Sequence, residues 1–434
     1  MSNKKMMNYL LDIIYFFALL AYSPKIIYRA IKQQRYRKGW AQRFGKVARK
    51  QPGKKCIWIH AVSVGEVNAT KTIIAELNKR LPDYEVVLSA TTDTGFERAE
   101  KLYGSELSVF FYPFDFSCVI RRAFKNLKPA LCLLMELEVW PNFTFYAAKN
   151  NIPVVVINGR ISDRSFPKYK LIKSLVKPVF SKVALFLAQS AEYAERFIAL
   201  GGRKESAIIT GSLKYDTADT AENIPGTDKL AEQLNIEGQR LFVAGGTGID
   251  EEAIILDAFK KLKAGQAFDD VRLAVVPRKP ERFDEVASLI TQYGFSITRY
   301  SKIKSGEQKN SAPKDSVILG DTMGDLRKFY SLSTVVFVGR SLVPMGGSDM
   351  MESSAMGKTT IFGKYTFNFK QTVDALLAKN GAIEVGSGDE LFVAVKKCLS
   401  DPQYAKQIAE NGRSVIIENQ GATVKSVDEI LKLL

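Results

Sequence analysis

With 434 residues, 46% of them hydrophobic, the chain can build two cores of ordinary domain size, which excludes a disordered or fibrous protein. A formal charge of +16 and a pI near 9.4 imply an anionic partner, whether nucleic acid, an anionic membrane or a phosphorylated substrate. One histidine and four cysteines without CxxC spacing leave little material for a His or Cys metal site; Cys56, Cys118, Cys132 and Cys398 read as free thiols of a reducing compartment.

The first predicted element is the apolar run Met6 to Tyr22, interrupted only by Asn8 and Asp12 and closed by Pro24. It is close to the lower limit of about 17 residues for a membrane-crossing helix. From Ile13 through Gly65 no acidic residue occurs, whereas Lys25, Arg29, Lys32, Arg35, Arg37, Lys38, Arg43 and five further residues are basic. Basic residues beside an apolar helix favour the cytoplasmic face and anionic lipid. Residues 1–24 are therefore expected to anchor the protein to the inner membrane, with the remaining domains on the cytoplasmic side. A buried amphipathic helix with a solvated basic flank is the competing reading.

Strand and helix patterns then alternate. Strands are predicted at Cys56 to Ala61, Glu85 to Ala90, Val109 to Tyr112, Leu131 to Met135, Val154 to Asn158, Leu185 to Gln189 and Ala207 to Thr210. Helices are predicted at Thr70 to Leu81, Gly95 to Tyr103, Ser117 to Asn126 and Asn142 to Lys149. Such alternation argues for a parallel, doubly wound α/β sheet. The polar, turn-rich segment Tyr215 to Lys229 marks a boundary, giving a first domain over 25–218 and a second over 219–434. Alternation resumes at Leu241 to Ala244, Val271 to Val276, Phe295 to Arg299, Val317 to Leu319, Val335 to Val338 and Thr359 to Phe362, with Ser301 to Lys314 as a surface loop. The last helix, Val424 to Leu434, is amphipathic enough to pack, and the first domain is one place for it. Two Rossmann-like domains of this kind are expected to face one ligand cleft with their strand C-termini.

Several motifs fall at those strand ends. His60-Ala-Val-Ser-Val-Gly-Glu66 follows the first strand. Glu66 is expected to sit at a helix N-terminus, held ionised as a general base, with Ser63 and Gly65 in the loop and His60 orienting it. A purely structural reading, with Gly65 turning the chain and Glu66 capping the helix, stands beside this. Glu136 and Glu138 interrupt an apolar strand end at an i, i+2 spacing that would place both carboxylates on one side. Arg160 and Lys214 each follow a strand, within Asn158-Gly-Arg-Ile-Ser162 and Thr210-Gly-Ser-Leu-Lys214, which suits anion binding as well as ordinary surface exposure; Ser212 shares the second loop. In the second domain, Gly245-Gly-Thr-Gly248 precedes the acids Asp250 to Glu252, which would compete with a phosphate for helix N–H groups. Pro277-Arg278, Gly320 to Asp325 and Met345 to Glu352 bring flexible backbone, carboxylates and a cation to strand ends, the pattern of a nucleotide site.

Taken together, HAVSVGE, MELEVWPN, NGRIS, GSLKYD, PRKPERF, GDTMGDL and the stretch GGSDMMES through FGKYTFNF resemble the motifs of the 3-deoxy-D-manno-octulosonic acid (Kdo) transferases, in that family's order and over almost the whole chain. The resemblance implies a GT-B glycosyltransferase that moves Kdo from CMP-Kdo to a phosphorylated lipid A precursor with inversion, without metal or other cofactor. By matched position, Glu66 would be the general base, and Glu136 and Lys214 would stabilise the transition state. Pro277, Arg278, Met323, Gly324, Asp325, Asp349, Met350, Met351 and Glu352 would hold CMP. Three departures stand out. Ser348-Asp-Met-Met-Glu352 replaces the usual His-Asn-Pro-Leu-Glu, Gly246-Thr-Gly-Ile-Asp250 replaces a loop that usually carries histidine, and Asp325 stands where glutamate is usual. A sugar-nucleotide epimerase on the same fold and a membrane-bound module that binds without catalysis are the alternatives. Nucleic acid is not an expected partner, because much of the basic excess flanks the anchor and no aromatic-basic motif accompanies it.

Overall fold

Runs of β-branched and aromatic residues form two parallel sheets in the computed structural model, which describes residues 3–32, 38–221, 224–307 and 312–434. The chain divides into two compact units, Met1–Thr217 with Asn419–Leu434, and Ala218–Glu418.

The first unit is built on β1 (Lys55–Ala61), β2 (Tyr84–Ala90), β3 (Ser108–Phe111), β4 (Pro129–Met135), β5 (Val154–Gly159), β6 (Leu185–Ala188) and β7 (Ala207–Ile209), in the order β3-β2-β1-β4-β5-β6-β7. Crossovers run leftward from β1 and rightward from β4, so right-handed connections place their helices on opposite faces. On one face, the helices Val64–Arg80 and Asp93–Tyr103 bury Val67, Ile73, Leu77 and Ala99 against Ile57, Ile59 and Leu133. On the other, Trp58 is fully buried among Phe110, Phe124 and Phe143. The helix Ala422–Leu431 joins the first of these faces through Val427 and Ile430. Asp216 fixes it by accepting the N–H groups of Gly421 (2.6 Å) and Thr423, and Thr423 Oγ1 bonds Thr72 Oγ1 at 2.7 Å.

The N-terminal segment corrects one expectation. Pro24 does not end it: the helix runs from Asn3 to Lys32 with the proline inside. Proline removes the N–H that would bond the carbonyl of Leu20, and the Ser23 hydroxyl donates to that oxygen instead, at 2.8 Å. Asp12, which interrupts the apolar run, docks the helix: its carboxylate accepts the Ser117 N–H (2.8 Å) and hydroxyl and the Asn142 side-chain amide (3.1 Å). Tyr15 OH donates to buried Asp115 at 3.1 Å. Ile13, Ile14, Phe16, Phe17 and Leu20 remain more than half exposed. Among the described residues no helix is long and apolar enough to cross a membrane. Arg35 and Arg37 of the basic flank, with the side chains of Met6 to Leu10 and of Arg29, lie outside the described residues.

The second unit repeats the plan with β8 (Arg240–Thr247), β9 (Val271–Pro277), β10 (Ile297–Arg299), β11 (Val317–Leu319), β12 (Val335–Val338), β13 (Thr359–Gly363) and β14 (Ile383–Val385), ordered β10-β11-β9-β8-β12-β13-β14. β14 was not among the expected strands; it is three residues long, with exposed Glu384 at its centre, so it offers no apolar run. The segment expected as a loop from Ser301 starts as helix, Tyr300–Lys304, because Tyr300 and Ile303 bury one face, and residues 308–311 lie outside the described residues. Arg272 is buried on β9 and spends its guanidinium on the carbonyls of Leu234 (2.6 Å) and Ser316 (2.8 Å) and the Ser316 hydroxyl (2.8 Å).

Candidate active site

In the first unit the strand order reverses between β1 and β4, the point at which open α/β sheets bind ligands beyond their strand C-termini. The chain leaves β1 through Val62 and Ser63 and enters its helix at Val64, earlier than the apolar period suggested. The reason is a capping box, Ser63-x-x-Glu66. Ser63 Oγ accepts the Glu66 N–H at 3.5 Å and donates its hydroxyl to Glu66 Oε1 at 2.9 Å, while Glu66 Oε2 accepts the Val62 N–H at 2.9 Å. Val62 is itself pinned by Thr92, whose N–H (3.2 Å) and hydroxyl (2.8 Å) both donate to its carbonyl. A side chain at Gly95 would strike that carbonyl at 2.7 Å.

Glu66 is partly exposed, and its carboxyl is not held down as expected. Burial pushes it up to about 7, and neighbouring Glu136 and Glu138 add to the rise, against the Val62 and Ser63 hydrogen bonds. Desolvation and like charge outweigh the helix N-terminus here. Gly65 has negative φ and sits in the first helical turn; a Cβ there would meet only Ser63 Oγ, at 4.0 Å. Its missing side chain leaves the approach to Glu66 open rather than making a turn.

β4 stops at Met135, so Glu136 and Glu138 do not share a strand face. Glu136 takes φ +54°, a left-handed conformation that breaks strand alternation, its N–H bonding Ile157 O at 3.0 Å. Glu138 Oε2 accepts the Trp140 indole N–H at 2.9 Å and lies 4.0 Å from His60 Nε2. Burial raises the Glu138 carboxyl. His60 is fully buried and stacks on Tyr112 with ring centroids 3.8 Å apart. Its Nδ1 lies 3.1 Å from Ser89 O, a carbonyl that only accepts, so Nδ1 carries the proton and Nε2 faces the Thr91 hydroxyl (3.4 Å) as a lone pair. Burial pushes the imidazole down to about 3, so it stays neutral and orients its surroundings.

The loops after β5 and β7 meet through Asn158, at φ +52°, whose Oδ1 accepts the Leu213 N–H at 3.0 Å. Buried Ser212 leads into the short helix Leu213–Asp216, and Leu213 packs in the same core as Val67 of the Glu66 helix. Lys214 is thus carried on a turn seated against that helix. The Arg160 N–H approaches Glu136 O at 3.5 Å. Among the described residues neither Arg160 nor Lys214 forms an ion pair.

In the second unit the reversal falls between β8 and β12. Glu251, fully buried, organises it: Oε1 accepts the N–H groups of Ser341 and Leu342 (both 2.9 Å), and Oε2 those of Arg340 and Gly248 (3.3 Å). Glu252 pairs bidentately with Arg282 (2.6 and 3.1 Å) and accepts the Thr247 hydroxyl at 2.8 Å. These acids therefore build the loops, a role the sequence signals only as competition for phosphate. Ser348 Oγ donates to Gly246 O at 2.7 Å, and a Cβ on Gly246 (φ +67°) would sit 2.7 Å from Ser348 Oγ. Two of the departures from the family pattern thus touch.

Around this reversal Arg278 is exposed past β9, and Met323 and Gly324 (φ +92°) are exposed past β11. Asp325 is buried and committed to Lys304 (2.6 Å), Lys328 (2.9 Å) and the Thr322 hydroxyl (2.8 Å), contacts that hold its carboxyl down at about 2. Met350 and Met351 turn into the interior at 0% and 3% exposure, so only their backbone is offered. Partly exposed Asp349 and Glu352 remain; burial first and Asp349 second push the Glu352 carboxyl up to about 7, with Arg327 and Arg278 opposing.

Residues 38–217 match the family model described as 3-Deoxy-D-manno-octulosonic-acid transferase (kdotransferase). Over 403 residues the chain is 34% identical to the 3-deoxy-D-manno-octulosonic acid transferase of Haemophilus influenzae, covering 92% of each chain. It is 30% identical over 397 residues to that of Bordetella pertussis, covering 89% of this chain and 90% of the relative. Among solved structures, UDP-GlcNAc 2-epimerase from Neisseria meningitidis is similar with TM-score 0.58 and 13% identity, over 87% of this chain and 100% of that one. Anabaena HepE in complex with UDP is similar with TM-score 0.55 and 14% identity, over 88% of this chain and 100% of that one. At such identities the structural likeness is one of fold, and the fold is GT-B.

Proposed function

We propose a reaction for this chain from one premise: the chain belongs to the 3-deoxy-D-manno-octulosonic acid transferases. It is a glycosyltransferase that moves Kdo from CMP-Kdo to a hydroxyl of a phosphorylated glucosamine lipid, the lipid A precursor. The observation that carries the mechanism is Glu66, fixed at the reversal of the first sheet by Ser63 and Val62 and poised at about 7. A base whose pKa lies near the working pH combines a useful ionised fraction with a real proton affinity.

Glu66 takes the acceptor hydroxyl's proton as that oxygen attacks the anomeric carbon. The bond from that carbon to the phosphate oxygen breaks, CMP leaves with the electron pair, and one displacement inverts the centre. Positive charge growing on the sugar is met by Glu136, and negative charge on the departing phosphate by Lys214. Ser63 holds the base, Gly65 leaves it open, and Arg160 and Ser212 receive the polar part of the acceptor. Arg278, Met323, Gly324, Asp349 and Glu352 hold the CMP portion, with Pro277 shaping the loop and Asp325 fixing the Met323-Gly324 turn. Met350 and Met351 contribute backbone. Side-chain cations are sufficient for one phosphate, so the step needs no metal or cofactor.

The exposed Ile13, Ile14, Phe16, Phe17 and Leu20, with the basic residues that follow, support attachment to the cytoplasmic face of the inner membrane, where such an acceptor resides. The test is incubation with CMP-Kdo and a tetra-acylated lipid A precursor, following CMP release and lipid mass. Transfer that survives Glu66→Gln would sink the assigned base; no transfer by the wild type, with CMP-Kdo still bound, would sink the reaction.

A further inference from the structure

Beyond the N-terminal helix, a second stretch of the first unit has a composition at odds with ordinary solvated surface. From Arg164 through Lys182 the chain carries six cations, Arg164, Lys168, Lys170, Lys173, Lys177 and Lys182, and no acidic residue. All six are exposed, and among the described residues none pairs with a carboxylate. A charge run on a water-facing surface normally mixes both signs. The acid that precedes the run, Asp163, pairs with Arg196.

The same stretch exposes large aliphatic side chains. It folds as two short helices, Phe166–Leu171 and Lys173–Phe180, the second buried through Val176, Val179 and Phe180. Leu171, Ile172 and Leu175 point the other way, at 87%, 47% and 70% exposure. Single exposed leucines need no explanation. Three within five residues, framed by unpaired lysines, form the pattern of a surface that lies in a lipid interface. Its neighbours fit. The helix Lys173–Phe180 packs on Pro141–Lys149, which packs on Ser117–Leu127, which receives the N-terminal helix, so one row of helices on one face of the sheet has an exposed apolar member at each end.

We propose that Arg164 to Lys182 is a second membrane-contact surface, in which Leu171, Ile172 and Leu175 enter the headgroup boundary of an anionic bilayer and the six cations bind its phosphates. It goes beyond the transfer reaction and holds whether or not that reading does. Charge complementarity selects the partner: an acidic protein groove would match the cations but has no use for three aliphatic side chains at the tip.

The test uses the full chain with vesicles of phosphatidylethanolamine and phosphatidylglycerol, and with phosphatidylcholine vesicles as the uncharged control. Each of Lys168→Gln, Lys170→Gln and Lys173→Gln should weaken binding to the anionic vesicles about fivefold, and Leu171→Ser with Leu175→Ser should weaken it further. Because the N-terminal helix also contributes to binding, a second measurement reads the contact directly. Leu171→Trp, an exposed position with no packing to lose, should gain fluorescence quenching by bromine-labelled lipid over the wild-type tryptophans. No gain in quenching would overturn the proposal, as would equal binding of the wild type to anionic and uncharged vesicles. Transfer to a detergent-dispersed acceptor should be unchanged in these variants; no transfer by the wild type either, with quenching intact, would count against the transfer reading and leave the membrane surface standing.

Discussion

Ser63 and Glu66 bind one another twice, the serine hydroxyl accepting the Glu66 N–H and donating to its Oε1 at 2.9 Å. The link that starts the helix is therefore also the link that sets the carboxylate proposed as the base. Since burial pushes Glu66 up to about 7, transfer should rise with pH through about 7 and level off above it, as the carboxylate form accumulates. Ser63→Ala removes a hydrogen bond that favours the ionised form, so the midpoint should move to higher pH, with roughly 1 kcal/mol of stability lost with the cap. Glu66→Gln should cut transfer about 10²–10⁴-fold without loss of CMP-Kdo binding. A pH–rate profile of wild type and Ser63→Ala checks the assignment; identical midpoints would remove Ser63 from it.

Gly65 separates fold from function. It has helical φ and open space on its Cβ side, so Gly65→Ala should stabilise the unit by roughly 0.5–1 kcal/mol. On the proposed mechanism the added methyl stands beside the face of Glu66 that the acceptor would reach. The expected result is a higher melting temperature with a raised KM for the lipid and unchanged CMP-Kdo affinity. A destabilised Gly65→Ala would mean that the glycine serves the backbone.

The strands were legible from the sequence because their runs are long and apolar: Cys56 to Ala61 and Val335 to Val338 emerge within a residue of their expected ends. The site was legible only where a side chain's role is local. Ser63-x-x-Glu66 contains the capping signal that moves the helix start from Thr70 to Val64, and weighing it above apolar periodicity would have placed Glu66 in the first turn. Thr92 and Gly95, which pin Val62 from the next crossover, belong to a different β-α unit, and no spacing links them to Glu66. The raised pKa of Glu66 has the same origin, since it comes from burial and from Glu136 and Glu138 on another strand's loop. The pairing of Ser348 with Gly246 is likewise invisible at a separation of about a hundred residues, although it makes two departures from the family pattern one structural fact.

His60, the single histidine, should betray itself in acid. Its imidazole is pushed down to about 3 by burial, whereas an unfolded histidine titrates near 6.5. Between those values the unfolded chain binds a proton that the folded one refuses, so stability falls as pH falls. The raised carboxyls act oppositely: with Glu66 raised to about 7, the folded state holds the extra proton and gains stability as pH drops through that value. Comparison with His60→Gln isolates the histidine. All three tryptophans, Trp40, Trp58 and Trp140, lie in the first unit, so urea unfolding followed by their fluorescence reads that unit. From about pH 7 to pH 4.5 the wild type should lose roughly 2–3 kcal/mol more than the variant. Equal losses would mean that His60 is protonated in the fold.

Glu251 ties the loops at the second unit's reversal together in the way Ser63 and Glu66 tie those of the first. Its two carboxylate oxygens accept four backbone N–H groups, from Gly248 just past β8 and from Arg340, Ser341 and Leu342 past β12. An amide in its place keeps one acceptor oxygen and turns an NH2 group toward N–H donors, so Glu251→Gln should cost roughly 3 kcal/mol locally, the penalty of buried donors left without acceptors. The loss falls on the chain from Gly339 to Ser348, which holds Ser348 on Gly246 through the Ser348 N–H to Gly339 O bond of 2.9 Å. Hydrogen exchange at the Ser341 and Leu342 amides should accelerate about a hundredfold, as an opening cheaper by that energy requires, and CMP-Kdo affinity should fall with it. Transfer in the first-order limit should drop in proportion to the lost affinity, because Glu66 is untouched. Unchanged exchange in Glu251→Gln would show that the loop stands without the carboxylate, and an affinity loss without faster exchange would make Glu251 a ligand contact instead of a support.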